Sequence, residues 1–312
     1  MPNNNIIFPN ESRPDLAEGL TREVLVGNVD YISGEILPAI NVTEVANTFS
    51  AAQVVTAAAV VDRAAGAALA ATRVSTKDVQ YNCVKTENRA FVNERDIKNF
   101  GGPLPATAAA ARVAGQAVIK AVEAASAALV FSAARYAAAT TLDDVNPFSS
   151  LGIAAKKVKH YGKAALVASE SWMAEFIKMP NVMESLRQFY GDKVFALLQG
   201  DINTIATGLG VVLGVSNILV GDDEFWNISG KDDAAAVIAL RPEMQTDALM
   251  TAKALPVWGA TMTFLPDAAK ASNPFFVDTV YLAASKENAV DVTAFLDPVE
   301  INADGCVLVK LP

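Results

Sequence analysis

The residues able to do chemistry in this chain are few and far apart. His160 is the only histidine. A Ser-His-Asp triad, a His pair and a two-His metal site are therefore excluded within one chain. The two cysteines, Cys83 and Cys306, lie in apolar strand-like segments and read as small core fillers; no residue spacing brings either to His160. Gly208-Leu-Gly210-Val-Val-Leu-Gly214 misses the dinucleotide fingerprint: Leu213 stands where the third glycine belongs, and the run precedes a strand instead of a helix. It reads as a helix stop and a tight turn. Asp222-Asp223-Glu224 and Asp232-Asp233 offer hard-cation oxygens without the ligand spacing of a known cage. They read as solvated turns. No Walker loop, GxSxG or HExxH occurs. No catalytic residue, cofactor or metal is assigned, and the chain is not read as an enzyme.

Composition narrows the class. Across 312 residues, 52% are hydrophobic and 19% charged, so disorder is excluded for most of the length. Much of the apolar fraction is alanine, which suits surfaces that neighbours cover. The net charge is −9, and the densest basic group is Lys156-Lys157-Lys159. That footprint is too small for a protein that grips nucleic acid through phosphates. The N-terminus has neither a basic n-region nor an apolar h-region. The two thiols are then expected to be free, in a reducing cytoplasm. The Ala-rich stretches are interrupted by Asp62, Arg63, Arg112, Lys120 and Glu123, so no membrane-spanning segment is expected.

Stepping along the chain, residues 1–30 are polar, carry Pro2, Pro9 and Pro14, and show no helical or strand period. They read as an arm lying on something else. In Tyr31–Val45, Ile36-Leu37-Pro38 forms an extended apolar turn before a strand. Residues 49–72 pose a conflict. Their alanines favour a helix, whereas the β-branched pairs Val54-Val55 and Val60-Val61, with a break near Gly66, fit a long hairpin. Asp78–Lys85 alternates as a strand. Asn93 is placed to cap a short charged helix ending at Gly101-Gly102-Pro103. After that break the longest helix is expected, over about 104–139. Asp143–Pro147 is a turn cluster. Ala164–Ala168 then forms a strand, a helix starts at Ser169 or Ser171, another starts at Pro180, and a strand over 211–220 ends at Gly221-Asp222-Asp223. From Ala234 onward, AAAVIAL, VWGATMTFL, FFVDTVYLAA, AVDVTAFL and CVLVKL are sheet segments.

In word order and punctuation, Val158–Trp226 resembles the axial domain of tailed-bacteriophage major capsid proteins of the Hong Kong 97-like fold. Ile36-Leu37-Pro38 after the arm, Leu255-Pro-Val-Trp-Gly259 and the closing Asp304–Leu311 stretch carry the same resemblance. It covers roughly residues 25–312. It implies an α+β fold with an N-terminal arm (1–30), a peripheral domain (31–145) with an extended loop near 48–82 and a spine helix near 104–139, an axial domain (146–230), and return strands (231–312) mainly in the peripheral domain. It favours the loop over the helix for 49–72.

The function so implied is a major capsid protein. It would self-assemble as pentamers and hexamers into an icosahedral shell around phage double-stranded DNA, without sequence-specific binding. The shell would be built in the bacterial cytoplasm with a portal and, because the chain opens directly on the arm, a separate scaffolding protein. An encapsulin-like nanocompartment shell and, more distantly, an α/β nucleotide-binding enzyme are the alternatives. Some members form lysine–asparagine crosslinks; Lys77 and Lys85 lie in or beside the loop, and no partners can be matched to them.

Overall fold

The computed structural model describes residues 11–18, 31–54, 75–190, 215–245, 248–265, 274–282 and 287–312. Two sheets and one long helix organise them. The first sheet contains β1 (Glu11–Ser12), β2 (Ala39–Val42), β5 (Val84–Val92), β10 (Gly259–Phe264), β11 (Phe275–Leu282) and β12 (Glu287–Glu300). The 14-residue β12 is its centre, pairing antiparallel with β5, β10 and β11. The second sheet runs β6–β13–β9–β7–β8, from Thr140–Thr141, Cys306–Lys310, Ala234–Leu240, Lys163–Ser169 and Asn217–Gly221. Here β9 joins β7 and β13 antiparallel, while β8 and β6 pair parallel at the two edges. A separate hairpin pairs β3 (Ala46–Ala52) with β4 (Thr76–Asn82).

The helices are α1 (Ser33–Ile36), α2 (Glu94–Asn99), α3 (Pro103–Val130), α4 (Ala133–Ala137), α5 (Pro147–Val158), α6 (Glu170–Lys178), α7 (Pro180–Tyr190), α8 (Asp223–Trp226) and α9 (Ala248–Ala254). Their ends follow local chemistry. Asn93 and Asp96 form a reciprocal capping box on α2. The helix stops as Gly101 adopts φ 78°, with Gly102 N–H bonded to the Ile97 carbonyl at 2.9 Å. Pro103 then starts α3, where its missing N–H costs nothing. Ser169, not Ser171, caps α6, accepting from Trp172 N–H at 3.1 Å.

The long helix is shorter than expected, 28 residues instead of the span to Ala139. At Phe131 the backbone leaves helical geometry (φ −89°, ψ 44°) to bury the ring completely. Ser132 is extended, and only the short α4 follows. By helical rise α3 is still about 42 Å long. Its first half packs Ala106, Ala110, Ala114 and Val118 against Val290, Val292 and Ala294 of β12 and Val92 of β5. Its last turns place Ala127, Val130 and Phe131 against Trp226, Ala236, Ile238 and Leu308. One helix thus crosses both sheets. By length and apolar composition alone it could cross a bilayer; its packing and the buried Glu123 place that stripe in protein interior.

The segments of the chain divide between the two sheets. Residues 146–230 supply only β7 and β8 of the second sheet. β9 and β13 come from the segment expected to lie mainly in the peripheral domain, while β10, β11 and β12 of that segment join the first sheet. Part of the arm lies on its own chain: Glu11 and Ser12 pair with Thr279 and Asp278, and Ala17 is buried. Of the 49–72 segment only residues 49–54 are described, and Phe49–Ala52 lies in a strand. Seven residue pairs link Ala46–Ala52 to Thr76–Asn82, and Gln53 N–H continues the ladder to the Ser75 carbonyl at 2.9 Å. Residues 55–74 lie outside the described residues.

Candidate intersubunit surfaces

Among the described residues, those capable of chemistry do not converge. The His160 side chain is exposed, and only its carbonyl is engaged, accepting from Arg241 Nη2 at 3.2 Å. Cys83 is buried at the corner between β4 and β5; burial pushes its thiol up to about 11. Cys306 is buried at the start of β13, and burial pushes it up to about 12. A thiol so placed carries little thiolate near neutral pH.

The carboxylate clusters are structural. Asp222 caps α8, Asp223 accepts from Ser171 N–H at 2.9 Å and from its hydroxyl, and Glu224 pairs with Lys120 at 2.9 Å. Asp233 accepts from the Tyr136 hydroxyl at 2.9 Å. Among the described residues no group of three or more His, Cys, Asp or Glu side chains could hold a metal ion. Gly208–Gly214 lies outside the described residues. Lys77 is exposed on β4, and Lys85 on β5 pairs with Glu87.

A buried carboxylate forms a joint between elements. Glu123 is fully buried in α3. Its carboxylate accepts from the backbone N–H of Ile32 at 2.9 Å, that of Ser33 at 3.1 Å, and Trp226 Nε1 at 2.7 Å. The first two donors are orphan N–H groups at the start of α1. The third belongs to α8, just beyond the edge strand β8. One carboxylate therefore ties the entry of the chain and the second sheet to the helix lying over the first. Sequence reading noted Glu123 only as a charge interrupting an apolar stretch. The available signal was its spacing, four residues after buried Ile119 and three or four before buried Ser126 and Ala127.

A second joint closes the far end of α3. Arg135 Nη1 donates to the Leu129 and Val130 carbonyls at 2.6 and 3.3 Å, and the guanidinium pairs with Glu300 of β12. It also lies 5.8 Å from the Trp258 ring centroid.

The hairpin is anchored at its base. Asn82 N–H donates to Asp297 Oδ2 at 2.7 Å, Cys83 N–H to the Val45 carbonyl at 2.7 Å, and buried Asn302 donates to the Ala52 and Val257 carbonyls. Ala51, Val79 and Tyr81 pack on Ala248 and Ala252 of α9. Large apolar side chains remain uncovered around the molecule: Val84 and Phe91 on β5, Phe100, Leu104 and Val113 beside or on α3, Val145 and Ile153 at α5, and Met250 on α9. Scattered singly, such side chains are ordinary for a protein surface and do not by themselves mark an interface.

No protein-family model matches the sequence, and no curated protein matches it. Solved structures do match in fold. A phage-related protein from Bordetella bronchiseptica RB50 superposes with a TM-score of 0.66 at 12% identity, over 97% of this chain and 98% of that one. The capsid of the cyanophage P-SCSP1u gives 0.53 at 11% identity, over 90% and 88%. A virus-like particle from Pyrococcus furiosus gives 0.52 at 12% identity, over 96% and 97%. The chain has the α+β, Hong Kong 97-like fold of phage capsid proteins.

Proposed function

We propose that this chain is the major capsid protein of a tailed bacteriophage or prophage, a subunit that self-assembles into an icosahedral shell around double-stranded DNA. The observation that carries this reading is the likeness of nearly the whole chain to a subunit of a cyanophage capsid. Little of either chain is left over for a separate catalytic unit, and the reading assigns no enzymatic step.

In this reading the subunits form pentamers and hexamers. Residues 1–10 and 19–30 of the arm and the hairpin 48–82 lie across neighbours, α3 is the spine of the peripheral domain, and residues 146–230 with β9 and β13 gather around capsomer axes. Assembly occurs in the host cytoplasm, with a separate scaffolding protein and a portal. The virus-like particle from Pyrococcus furiosus supports a second reading, a nanocompartment shell that encloses protein.

Expression in bacteria, followed by negative-stain electron microscopy and sedimentation, tests the proposal. Closed shells or tubes of uniform curvature are expected, alone or with a scaffolding protein co-expressed. Discrete small oligomers under both conditions would sink the shell reading. Nucleic acid or a single packaged protein inside purified shells distinguishes the two cargoes.

A further inference from the structure

Helix α5 carries opposite charge at its two ends, and neither end is neutralised by an ion pair among the described residues. Before its first turn, Asp143, Asp144 and Val145 are exposed, Val145 by 76%. Asp143 Oδ1 accepts from Val145 N–H at 2.8 Å and Asn146 N–H at 3.3 Å, which fixes the turn. Asp144 makes no hydrogen bond or ion pair among the described residues. In the last turn and beyond it, Lys156, Lys157, Lys159, His160 and Lys163 are all exposed, and none forms an ion pair among the described residues.

Ile153, 55% exposed, precedes the basic group. Positions 153, 156 and 157 share one face at helical spacing. The opposite face, Leu151, Ala154 and Val158, is buried in the core, so the charged face points outward.

Basic residues at a helix C-terminus complement its dipole, but that effect falls off within the last turn. It does not account for an exposed isoleucine among the lysines, nor for an exposed valine beside the two aspartates. Each end instead has the composition of half an interface, one large apolar side chain with charge of one sign around it. The halves are complementary to each other. They lie about 18 Å apart on one helix, so a single chain cannot bring them together. A two-fold contact through either end would set like charges face to face. A head-to-tail contact pairs them and, repeated with a rotation that closes, builds a ring.

We infer that the two ends of α5 form a head-to-tail contact between adjacent copies of this chain, Asp144 and Val145 of one meeting Lys156, Lys157 and Ile153 of the next. The inference deepens the shell reading and rests on it.

Charge reversal tests it. In Asp143→Asn/Asp144→Lys the amide keeps the turn's acceptor, and both ends become basic. In Lys156→Glu/Lys157→Glu/Lys159→Glu both ends become acidic. Each variant alone is expected to stay folded by circular dichroism and to lose rings and shells. Combining all five substitutions in one chain restores them with the polarity inverted. An equimolar mixture of the two variants closes even-membered rings only, by native mass spectrometry, since unlike copies must alternate. Wild-type protein that never assembles overturns the shell reading and this inference with it. Wild-type shells with reversed-charge variants that also assemble overturn the inference alone. So does a folded five-fold variant that fails to assemble. Loss of co-purifying nucleic acid from the triple variant, with assembly intact, would assign the lysines to a polyanion instead.

Discussion

Trp226 Nε1 donates to Glu123 Oε1 at 2.7 Å, linking the indole of α8 to the one fully buried carboxylate among the described residues. With Ile32 and Ser33 N–H on the same group, three donors from two separate stretches of chain converge on one side chain of α3. A carboxylate fits three donors; an amide has one accepting oxygen and brings two donors of its own. Glu123→Gln is therefore expected to cost about 2–4 kcal/mol in the unassembled subunit. Trp226→Phe, which leaves two donors in place, is expected to cost about 1–3 kcal/mol. Urea unfolding of both single variants and the double variant measures the coupling. Additive losses would mean that the indole and the carboxylate act independently.

Gly221 tests the same joint without substituting either partner. A Cβ built on it would fall 2.2 Å from Trp226 Cδ1. The indole would have to leave the position from which it reaches Glu123. Gly221→Ala should destabilise by about 1–3 kcal/mol and change the environment of a buried tryptophan. A shifted emission spectrum together with a lowered urea midpoint is the expected result; an unchanged midpoint would show that the ring can move freely.

Arg135 holds the other end of α3, and its shape matters more than its charge. The guanidinium reaches two helix-terminal carbonyls, Glu300 and the face of Trp258 together. A lysine ammonium cannot span that fork. Arg135→Ala is expected to cost about 2–4 kcal/mol, because Glu300 is left partly buried without its cation. Arg135→Lys should recover less than half of that. Full rescue by lysine in thermal unfolding would reduce the contact to a simple ion pair.

Much of this fold was readable because local chemistry and tertiary structure agree. The Asn93 cap, the Gly101-Gly102-Pro103 break, the Pro180 start and the strands from Ala234 onward each appear where their residues place them. The misses have physical causes. Ala133–Ala139 has the same helix propensity as the stretch before it, so nothing local marks the break at Phe131. That break arises from burial of one ring and from Arg135 folding back onto the helix end. Ala51 and Ala52 are helix formers held in a strand by seven residue pairs made with partners about 30 residues away, a case of tertiary pairing overriding propensity. Which sheet β9 and β13 join is not legible locally, because they look like any apolar strand and a strand's sheet is set by its pairing partners. Glu123 looked like an interruption because its three partners lie about 90 to 100 residues away in sequence.

The two thiols report on whether the strands that hold them stay closed. With Cys83 near 11 and Cys306 near 12, at most about one molecule in a thousand carries a thiolate at pH 8, before any steric protection. Neither is expected to react with a disulfide reagent in the folded subunit, whereas both should react in urea. Fast modification of one thiol in native protein would identify it as Cys83 or Cys306 by peptide mapping. Reaction at Cys83 would mean that the corner between the hairpin and the first sheet opens.

Asp297 sits at that corner, and its titration has a definite sign. Burial raises its carboxyl above the ordinary 3.8, and the Asn82 N–H bond only partly offsets this. The folded state therefore binds a proton more readily than the unfolded chain does. The stabilisation linked to that proton is fully present below the unfolded pKa and is lost as pH rises through the folded one. At neutral pH the ionised group is thus a liability. Asp297→Asn keeps an acceptor for Asn82 N–H and removes the charge. It should stabilise the subunit at pH 7, by at most about 1 kcal/mol because solvent reaches this half-buried position. The gain should shrink toward zero as pH falls below 4 and the wild-type carboxyl becomes protonated. Other carboxylates shape the overall acid profile, so the decisive quantity is the difference between the wild-type and variant urea midpoints at each pH. A difference that grows as pH falls would reverse the sign and show the Asn82–Asp297 bond to outweigh the cost of burying the charge.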